Sequence, residues 1–335
     1  MLCELQRCMR QVLDIISRQW SKVVFHGPGL TRTGEGTAMP LTNDYERAAM
    51  LLLRAAADGA LSLAGTGFAV MVDSETFGTE LRHFYLVTAG HVVLGTQPVY
   101  ARFRLIGGSI RDERIHNWVH HPTYDIAVAP LQDDAEVDGI AVPVATFTDE
   151  AFLGDTVFFI GLLRSLAPMA EAGVPMVRSG TVGRMWQQSI PARTGVIQTE
   201  LTGHLIDCRA YQGMSGAPCF VQHSFPVLVP VPGSPDPGLR TWDLRHLTVF
   251  FGMIAAHFDD YETLLTPDAG DASLQGLRTR VHTGVGVVTP ASFIREALDD
   301  EELLELRGEA DRQEAARRSS ESGNLTVSES DLELK

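Results

Sequence analysis

Between residues 48 and 298, short apolar runs alternate with glycine, proline, aspartate and asparagine at fairly even intervals. Runs of this length, bounded by turn-forming residues, are typical of β-strands. A chain with many strands and few helices folds as a β-barrel or a β-sandwich. The sequence therefore predicts an all-β fold, with apolar runs at residues 67–72, 84–89, 99–106, 125–131, 156–161, 247–256 and 285–290.

The two ends of the chain differ from this β-rich body. Residues 2–20 place apolar side chains at helical spacing, which predicts an amphipathic N-terminal helix, and the Gly- and Pro-rich residues after it indicate a linker. A second helix is expected at 291–298, and the charged, Ser-rich residues that follow predict a disordered acidic tail. The predicted organisation is a helix and linker at 1–43, a folded body at 44–300 and a tail at 301–335.

Length, composition and charge exclude several classes of protein. A chain of 335 residues with 44% hydrophobic content can bury a sizeable core without disulfides. The net charge of -15 argues against a nucleic-acid partner, and no apolar run reaches the roughly eighteen residues of a membrane span. Charged residues such as Glu4 and Arg7 interrupt the only place for a secretory signal, so we expect a cytoplasmic protein without a membrane partner. The oligomeric state is left open.

Cysteine and histidine residues do not indicate a metal site or a disulfide framework. Four cysteines are too few and too unevenly spaced for such a framework, although Cys208 and Cys219 would meet if their strands pair. We favour two small buried side chains for this pair. His116, His120 and His121 cluster in sequence, but no cysteine or carboxylate completes a ligand set, so we expect surface histidines, no metal and no cofactor.

Three residues have the chemistry of a serine hydrolase. Such an enzyme needs a nucleophile, a base that takes its proton, a group that orients the base and donors for the developing oxyanion. His91 follows the apolar run 84–89, Asp125 begins the run 125–131, and Ser215 lies in a turn between two glycines. Each residue therefore lies where a strand ends or begins, a position from which its side chain can face a cleft.

Four segments around these residues carry a family resemblance. They are GTGFAV at 65–70, TAGH at 88–91, HPTYDIAV at 121–128 and GMSGAP at 213–218. In this order they resemble the trypsin-like serine peptidase superfamily, which has the chymotrypsin fold. The resemblance covers about 65–298 and is closest to the bacterial HtrA-type and glutamyl-endopeptidase-like branch, without a PDZ domain.

The resemblance implies a fold and a role for each residue. It implies two six-stranded antiparallel β-barrels, at about 44–145 and 150–290, with the catalytic residues between them. His91 resembles the general base, Asp125 the carboxylate that orients it, and Ser215 the nucleophile. The implied activity is that of a serine endopeptidase that acts on a peptide or protein substrate through an acyl-enzyme intermediate.

The turn around the serine departs from the commonest form of the family. The resemblance implies that the amides of Gly213 and Ser215 form the oxyanion hole. Met214 stands where a polar residue is usual, and Ala217 replaces a second glycine. We expect a working site with altered substrate contacts, because neither position supplies a catalytic group.

The substrate pocket is the least constrained part of the site. By resemblance it is placed at Arg209, Ala255, Ala256 and His257. His257 matches a strand-borne histidine that binds acidic P1 side chains in glutamyl-specific relatives. The alternative is that His257 only ends a strand and that the two alanines line a small apolar pocket.

Two other functions are compatible with the same residues. One is a catalytically inactive trypsin-fold module that binds peptides or partners, because fold alone does not establish activity. The other is an esterase that uses the same triad. The chain order His, Asp, Ser differs from that of the α/β-hydrolases, in which the serine comes first.

Overall fold

The computed structural model describes residues 45–161, 175–185, 189–194, 197–208, 213–230, 240–263 and 278–328. These residues form two β-sheets and a C-terminal pair of helices. The fold is therefore mostly β, as the sequence predicts. The predicted N-terminal helix at 2–20 and the linker after it lie outside the described residues. No helix in the described ranges is both long enough and apolar enough to cross a membrane.

The first sheet is built from residues 49–143. Its strands are β1 (Ala49–Ala55), β2 (Leu61–Ser74), β3 (Gly78–Thr88), β4 (Val99–Arg104), β5 (Ile110–Ile115), β6 (Val119–His120), β7 (Ala127–Leu131) and β8 (Val142–Pro143). They lie in the order β5-β4-β1-β2-β3-β7-β6, and β8 runs parallel to β2. Alternate residues of β4 are buried, as expected for a strand with one face on the core. No pairing among the described residues joins β5 to β6, so closure of this sheet into a barrel stays a prediction.

The second sheet contains a closed barrel. Its strands are β9 (Thr156–Gly161), β10 (Met176–Arg184), β11 (Ser189–Thr194), β12 (Ile197–Thr202), β13 (His204–Asp207), β14 (Pro218–Pro230), β15 (Arg240–Thr263) and β16 (Arg278–Pro290). The order is β12-β11-β15-β14-β9-β10-β13-β16, and β15 also pairs with β16. That extra pairing closes six strands into a ring, which leaves β11 and β12 outside it. One six-stranded barrel is therefore present within the range predicted for the second.

The two sheets share an apolar core. The ring of Phe68 on β2 lies 5.3 Å from that of Phe250 on β15, and the ring of Tyr45 lies 4.7 Å from that of Phe220 on β14. All four side chains belong to one cluster of contacting apolar residues. Because protein cores are close-packed, this contact fixes the position of loops that meet between the sheets.

Three α-helices and two short 3-10 helices, Tyr45–Ala48 and Val144–Thr146, complete the described chain. The α-helices are α1 (Gly90–Val93), α2 (Ala291–Leu298) and α3 (Glu301–Ser328). The predicted helix at 291–298 is confirmed as α2, whose residues Ala291, Ile294 and Leu298 are buried at helical spacing. The expectation of a disordered tail is wrong for most of 301–335, because α3 covers residues 301–328.

Polar contacts explain why α3 forms despite its composition. Leu303 is its only fully buried large apolar residue in the described part, so little apolar burial supports the helix. Instead, the Arg307 guanidinium donates to the Leu298 carbonyl at 2.8 Å and lies over the Tyr85 ring. Arg318 bonds to Glu314 one turn before it and to Glu80 on β3. A rule based on mean composition misses contacts of this kind.

A buried carboxylate fixes the middle of α3 to the hairpin of β2 and β3. Asp311 accepts a hydrogen bond from the Ser74 hydroxyl at 2.8 Å, and its other oxygen lies 3.0 Å from His83 Nε2. Burial acts to raise the pKa of Asp311, but the hydrogen bonds from Ser74 and His83 outweigh it and hold that pKa below its usual value. The charged form of Asp311 therefore stabilises the contact between helix and hairpin.

We expect Asp311→Asn to lower the free energy of unfolding by about 1–3 kcal/mol at pH 7, since it weakens two buried hydrogen bonds. Because the pKa of Asp311 is lowered on folding, its contribution is present above its unfolded pKa and lost as the pH falls through the folded value. Urea unfolding at pH 7 and at pH 3 measures both effects. Glu305→Gln, on an exposed position of the same helix, is the matched control. Equal loss in both variants would contradict the role of Asp311.

Candidate active site

Pairing of β3 with β7 brings His91 and Asp125 together. Thr88 at the end of β3 pairs with Ala127 at the start of β7. His91 follows on α1, and Asp125 precedes β7. Asp125 Oδ2 lies 2.6 Å from His91 Nδ1, and Asp125 Oδ1 accepts the backbone N–H of His91 at 2.8 Å. The carboxylate thus holds both the main chain and the ring of the histidine.

This geometry fixes what the imidazole can do. With Nδ1 donating to Asp125, the other nitrogen, Nε2, is the one that can accept a proton. The side chains of His91 and Asp125 are 20% and 15% exposed, so the pair is largely shielded from solvent. A Cβ atom at Gly90 would lie 3.0 Å from Asp125 Oδ1. Glycine before the histidine therefore leaves room for the carboxylate.

The loop that carries Asp125 is supported by His121. His121 Nδ1 accepts the backbone N–H groups of Thr123 at 3.1 Å and Tyr124 at 3.0 Å. The Tyr124 ring stacks on Phe293 of α2, with centroids 3.8 Å apart. The side chain of His121 is only 6% exposed, so the expectation of a surface histidine is wrong here. Sequence reasoning missed this supporting role.

Ser215 lies in a turn that contains two glycines and is attached to β15 by backbone hydrogen bonds. Gly213 and Gly216 have positive φ angles of 100° and 86°. The Gly216 N–H donates to the Ile254 carbonyl at 2.8 Å, and the Ile254 N–H donates to the Ala217 carbonyl at 2.9 Å. These bonds attach the turn to β15 of the closed barrel.

Met214 and Ala217 point into the core and not into solvent. Both are 0% exposed and belong to the apolar cluster of the second sheet. A Cβ atom at Gly161 would lie 2.9 Å from the Ala217 methyl group. The expectation of altered substrate contacts at these two positions is therefore wrong. Their apolar character is explained by packing, which a polar side chain at position 214 would disturb.

The turn also docks on the first sheet, beside the histidine. The Thr66 N–H on β2 donates to the Ser215 carbonyl at 2.9 Å. A Cβ atom at Gly65 would lie 2.7 Å from a Val92 methyl group and 2.9 Å from the Ser215 carbonyl oxygen. Val92 follows His91 directly, so the segment that carries His91 and the Ser215 carbonyl both lie against Gly65.

Two amides and one hydroxyl of the turn have no partner within the described ranges. The N–H groups of Gly213 and Ser215 donate no hydrogen bond to any described residue, and the Ser215 hydroxyl makes none either. Unpaired amides are what an oxyanion hole requires. A hydrogen bond between a nucleophile and its base often closes only when substrate binds. The contact of Ser215 with His91 stays a prediction.

The predicted substrate pocket is only partly described. Arg209 lies outside the described residues. Ala255 and Ala256 are buried on β15, just after the residue that anchors the serine turn. His257 pairs with Gly286 on β16. Three of the four predicted pocket residues therefore lie on one strand next to Ser215, while their contact with a substrate stays a prediction.

Other aspartates near Asp125 in sequence line a cleft that is separate from the candidate site. A cleft of about 120 Å³ on the first sheet is lined by residues that include Asp133, Asp134 and Asp138. Asp138 pairs with Arg47 at 2.7 Å and Asp134 pairs with Arg111. Neither His91 nor Ser215 lines that cleft. Among these aspartates, Asp125 is therefore the one that bonds to His91.

The two cysteines near the serine are buried thiols. No disulfide joins Cys208 and Cys219, which are 5% and 0% exposed. Burial, reinforced by the neighbouring Cys208, raises the pKa of Cys219 well above its usual value. The thiol therefore stays protonated and unreactive at neutral pH. The interpretation of these residues as small core side chains is confirmed.

Comparison with solved structures finds several proteins to which this chain is distantly similar. Three similar solved structures are the MamO protease domain from Magnetospirillum magneticum, Deg5 and the thermostable serine protease AL20. Identities are 18%, 14% and 12%, with TM-scores of 0.45, 0.35 and 0.39. The matches cover 78%, 52% and 75% of this chain and 100%, 75% and 95% of those chains.

Comparison of the sequence alone gives a more specific result. No curated protein matches the chain significantly. The family model of the trypsin-like peptidase domain matches residues 65–225. That range contains His91, Asp125 and Ser215. Residues 65–225 of this chain are therefore similar to the trypsin-like peptidase domain.

Proposed function

We propose that the chain is a serine endopeptidase that hydrolyses peptide bonds in a peptide or protein substrate. The observation that carries this proposal is the pair of hydrogen bonds that Asp125 accepts from the ring and from the main chain of His91. That contact fixes the tautomer in which Nε2 is a base. A surface histidine without a catalytic role has no need of such a contact.

In the proposed mechanism, the Ser215 hydroxyl oxygen attacks the scissile carbonyl carbon and its proton passes to His91 Nε2. The carbonyl oxygen becomes an oxyanion, which accepts hydrogen bonds from the amides of Gly213 and Ser215. His91 then returns the proton to the leaving amine, and an acyl group remains on Ser215. Water, activated by the same imidazole, releases the acyl group and restores the serine.

We also propose that the first sheet closes into a second six-stranded barrel, as in the bacterial branch that the sequence resembles. The site would then lie at the seam of two barrels. Ala255, Ala256 and His257 would flank the P1 side chain, because they continue β15 beyond its bonds to Gly216. The acidic and the apolar preference both remain compatible with this position.

A second candidate function is a binding module that has the fold without the activity. The absence of a hydrogen bond to the Ser215 hydroxyl, among the described residues, is the observation that favours it. A serine that never reaches His91 would bind peptides without cleaving them. The two functions differ in whether Ser215 reacts with an electrophile.

Labelling with a fluorophosphonate probe tests the proposal. We expect the natural chain to be labelled and Ser215→Ala to lose all labelling, because the probe reacts only with an activated serine. Ser224→Ala is the matched control. Ser224 also lies beside a histidine, at 2.8 Å from His246 Nδ1, but it is outside the candidate site.

The outcomes separate the candidates. Labelling of the natural chain and of Ser224→Ala, but not of Ser215→Ala, supports the peptidase. Absence of labelling in all three favours the binding module. Equal labelling of all three contradicts Ser215 as the nucleophile.

A further inference from the structure

Thr66 makes two hydrogen bonds to the serine turn, although the proposed mechanism gives it no role. It lies on β2 and is 0% exposed. Its hydroxyl donates to the Gly213 carbonyl at 2.7 Å, and its N–H donates to the Ser215 carbonyl at 2.9 Å. Its own carbonyl accepts the Thr88 hydroxyl at 2.7 Å. One buried residue of the first sheet thus holds two carbonyls of a turn from the second.

These two carbonyls flank the Ser215 amide, and the Gly213 carbonyl lies one peptide plane from the Gly213 amide. The Gly213 carbonyl belongs to the peptide plane before Met214, and the Ser215 carbonyl belongs to the plane after Ser215. The plane between them carries the Ser215 N–H, and the plane before Gly213 carries the Gly213 N–H. When both outer carbonyls are held, the rotation available to the amide donors is reduced.

Glycine makes such a restraint necessary. Gly213 has a φ of 100°, a region that glycine can enter and leave at little cost. A glycine without a fixed carbonyl would rotate and turn its N–H away from the site. The Thr66 hydroxyl is the described side chain that bonds to this carbonyl, and its burial keeps water from competing for the bond.

We propose that Thr66 is a positioning residue that holds the amides of Gly213 and Ser215 in the oxyanion-binding orientation. The inference rests on the proposed peptidase function of the same site. Thr66 does not touch the substrate, because its side chain is fully buried. It acts through Gly213, and the hydroxyl rather than the size of its side chain is what matters.

The test compares Thr66→Val, which keeps the shape and loses the hydroxyl, with Thr66→Ser, which keeps the hydroxyl. The first readout is fluorophosphonate labelling. The final extent of labelling measures how many sites are folded, and the rate constant measures how fast each folded site reacts. We expect Thr66→Val to label about tenfold more slowly per site, because weakened oxyanion donors slow acylation. Thr66→Ser should recover most of the rate.

Thr88→Val is the matched control. The Thr88 hydroxyl is also buried, but it donates to the Thr66 carbonyl and makes no hydrogen bond to any described residue of the turn. We expect this variant to lose stability while its labelling rate per site stays close to that of the natural chain. Equal slowing in both valine variants would overturn the inference, since general loosening of this buried region would then explain the effect.

A readout without catalysis keeps the inference testable if the peptidase proposal fails. In the Ser215→Ala background, the amide signal of Gly213 can be followed by nuclear magnetic resonance with ¹⁵N-labelled glycine. We expect a single sharp signal with Thr66 or Thr66→Ser, and a broadened or split signal with Thr66→Val. An unchanged signal in Thr66→Val would overturn the inference whether or not the natural chain is labelled by the probe.

Discussion

Asp125→Asn is expected to slow acylation of Ser215 by about 10⁴-fold while the fold is kept. The carboxylate accepts hydrogen bonds from His91 Nδ1 and from the His91 backbone. An asparagine can accept one of these bonds, but its amide nitrogen is a donor. When that nitrogen donates to Nδ1, the ring proton lies on Nε2. Nε2 then cannot accept the serine proton.

The rate of fluorophosphonate labelling and the rate of hydrolysis of an activated ester measure this effect. Asp133→Asn is the control, because Asp133 lies in the nearby loop, is exposed and lines a different cleft. It should leave both rates unchanged. A loss of less than tenfold in Asp125→Asn would show that this aspartate does not orient a catalytic base.

Gly216→Ala is expected to lower the free energy of unfolding by about 3–5 kcal/mol, the sum of a backbone cost and a collision. Gly216 has a φ of 86°, which an alanine adopts only with strain. Its Cβ would lie 1.9 Å from the Thr66 carbonyl oxygen and 2.4 Å from the Thr88 hydroxyl oxygen. Neither atom can withdraw easily, since one is backbone and the other is buried.

Gly59→Ala separates the two costs. Gly59 has nearly the same φ, 83°, but a Cβ there would meet nothing within 4 Å. We expect this control to lose only about 1–2 kcal/mol, the backbone cost alone. Unfolding midpoints in urea give both values. If the two variants lose equal stability, the serine turn is not packed against β2 and β3 as tightly as the structure indicates.

Local patterns in the sequence predicted much of the fold. The spacing of apolar runs predicted the strands that became β2, β3, β4, β7 and β9, and a helix was expected at 291–298, where α2 lies. The tail was predicted incorrectly, because a composition low in large apolar side chains does not reveal single contacts. Asp311 with Ser74 and Arg307 with the Leu298 carbonyl join residues that only tertiary folding brings together.

The candidate site, too, was predicted only in part from local sequence patterns. TAGH, HPTYD and GMSG gave the types and the order of the reacting groups, because each short segment encodes its own turn. The segments did not show that His121 caps the loop of Asp125, or that Met214 is a core residue. Both roles depend on which face of a turn is buried, and a turn has no periodicity from which burial can be inferred.

The sequence by itself determined the strand-rich character of the chain and the three residue types needed for serine chemistry, since these follow from local spacing and side-chain identity. The tertiary structure decided which aspartate faces His91 and how the serine turn is held. The register of β3 against β7 selects Asp125. Close contact of Gly216 with Thr66 sets the position of Ser215. Both are distances between segments far apart in the chain, and only packing of the two sheets on one core fixes such distances.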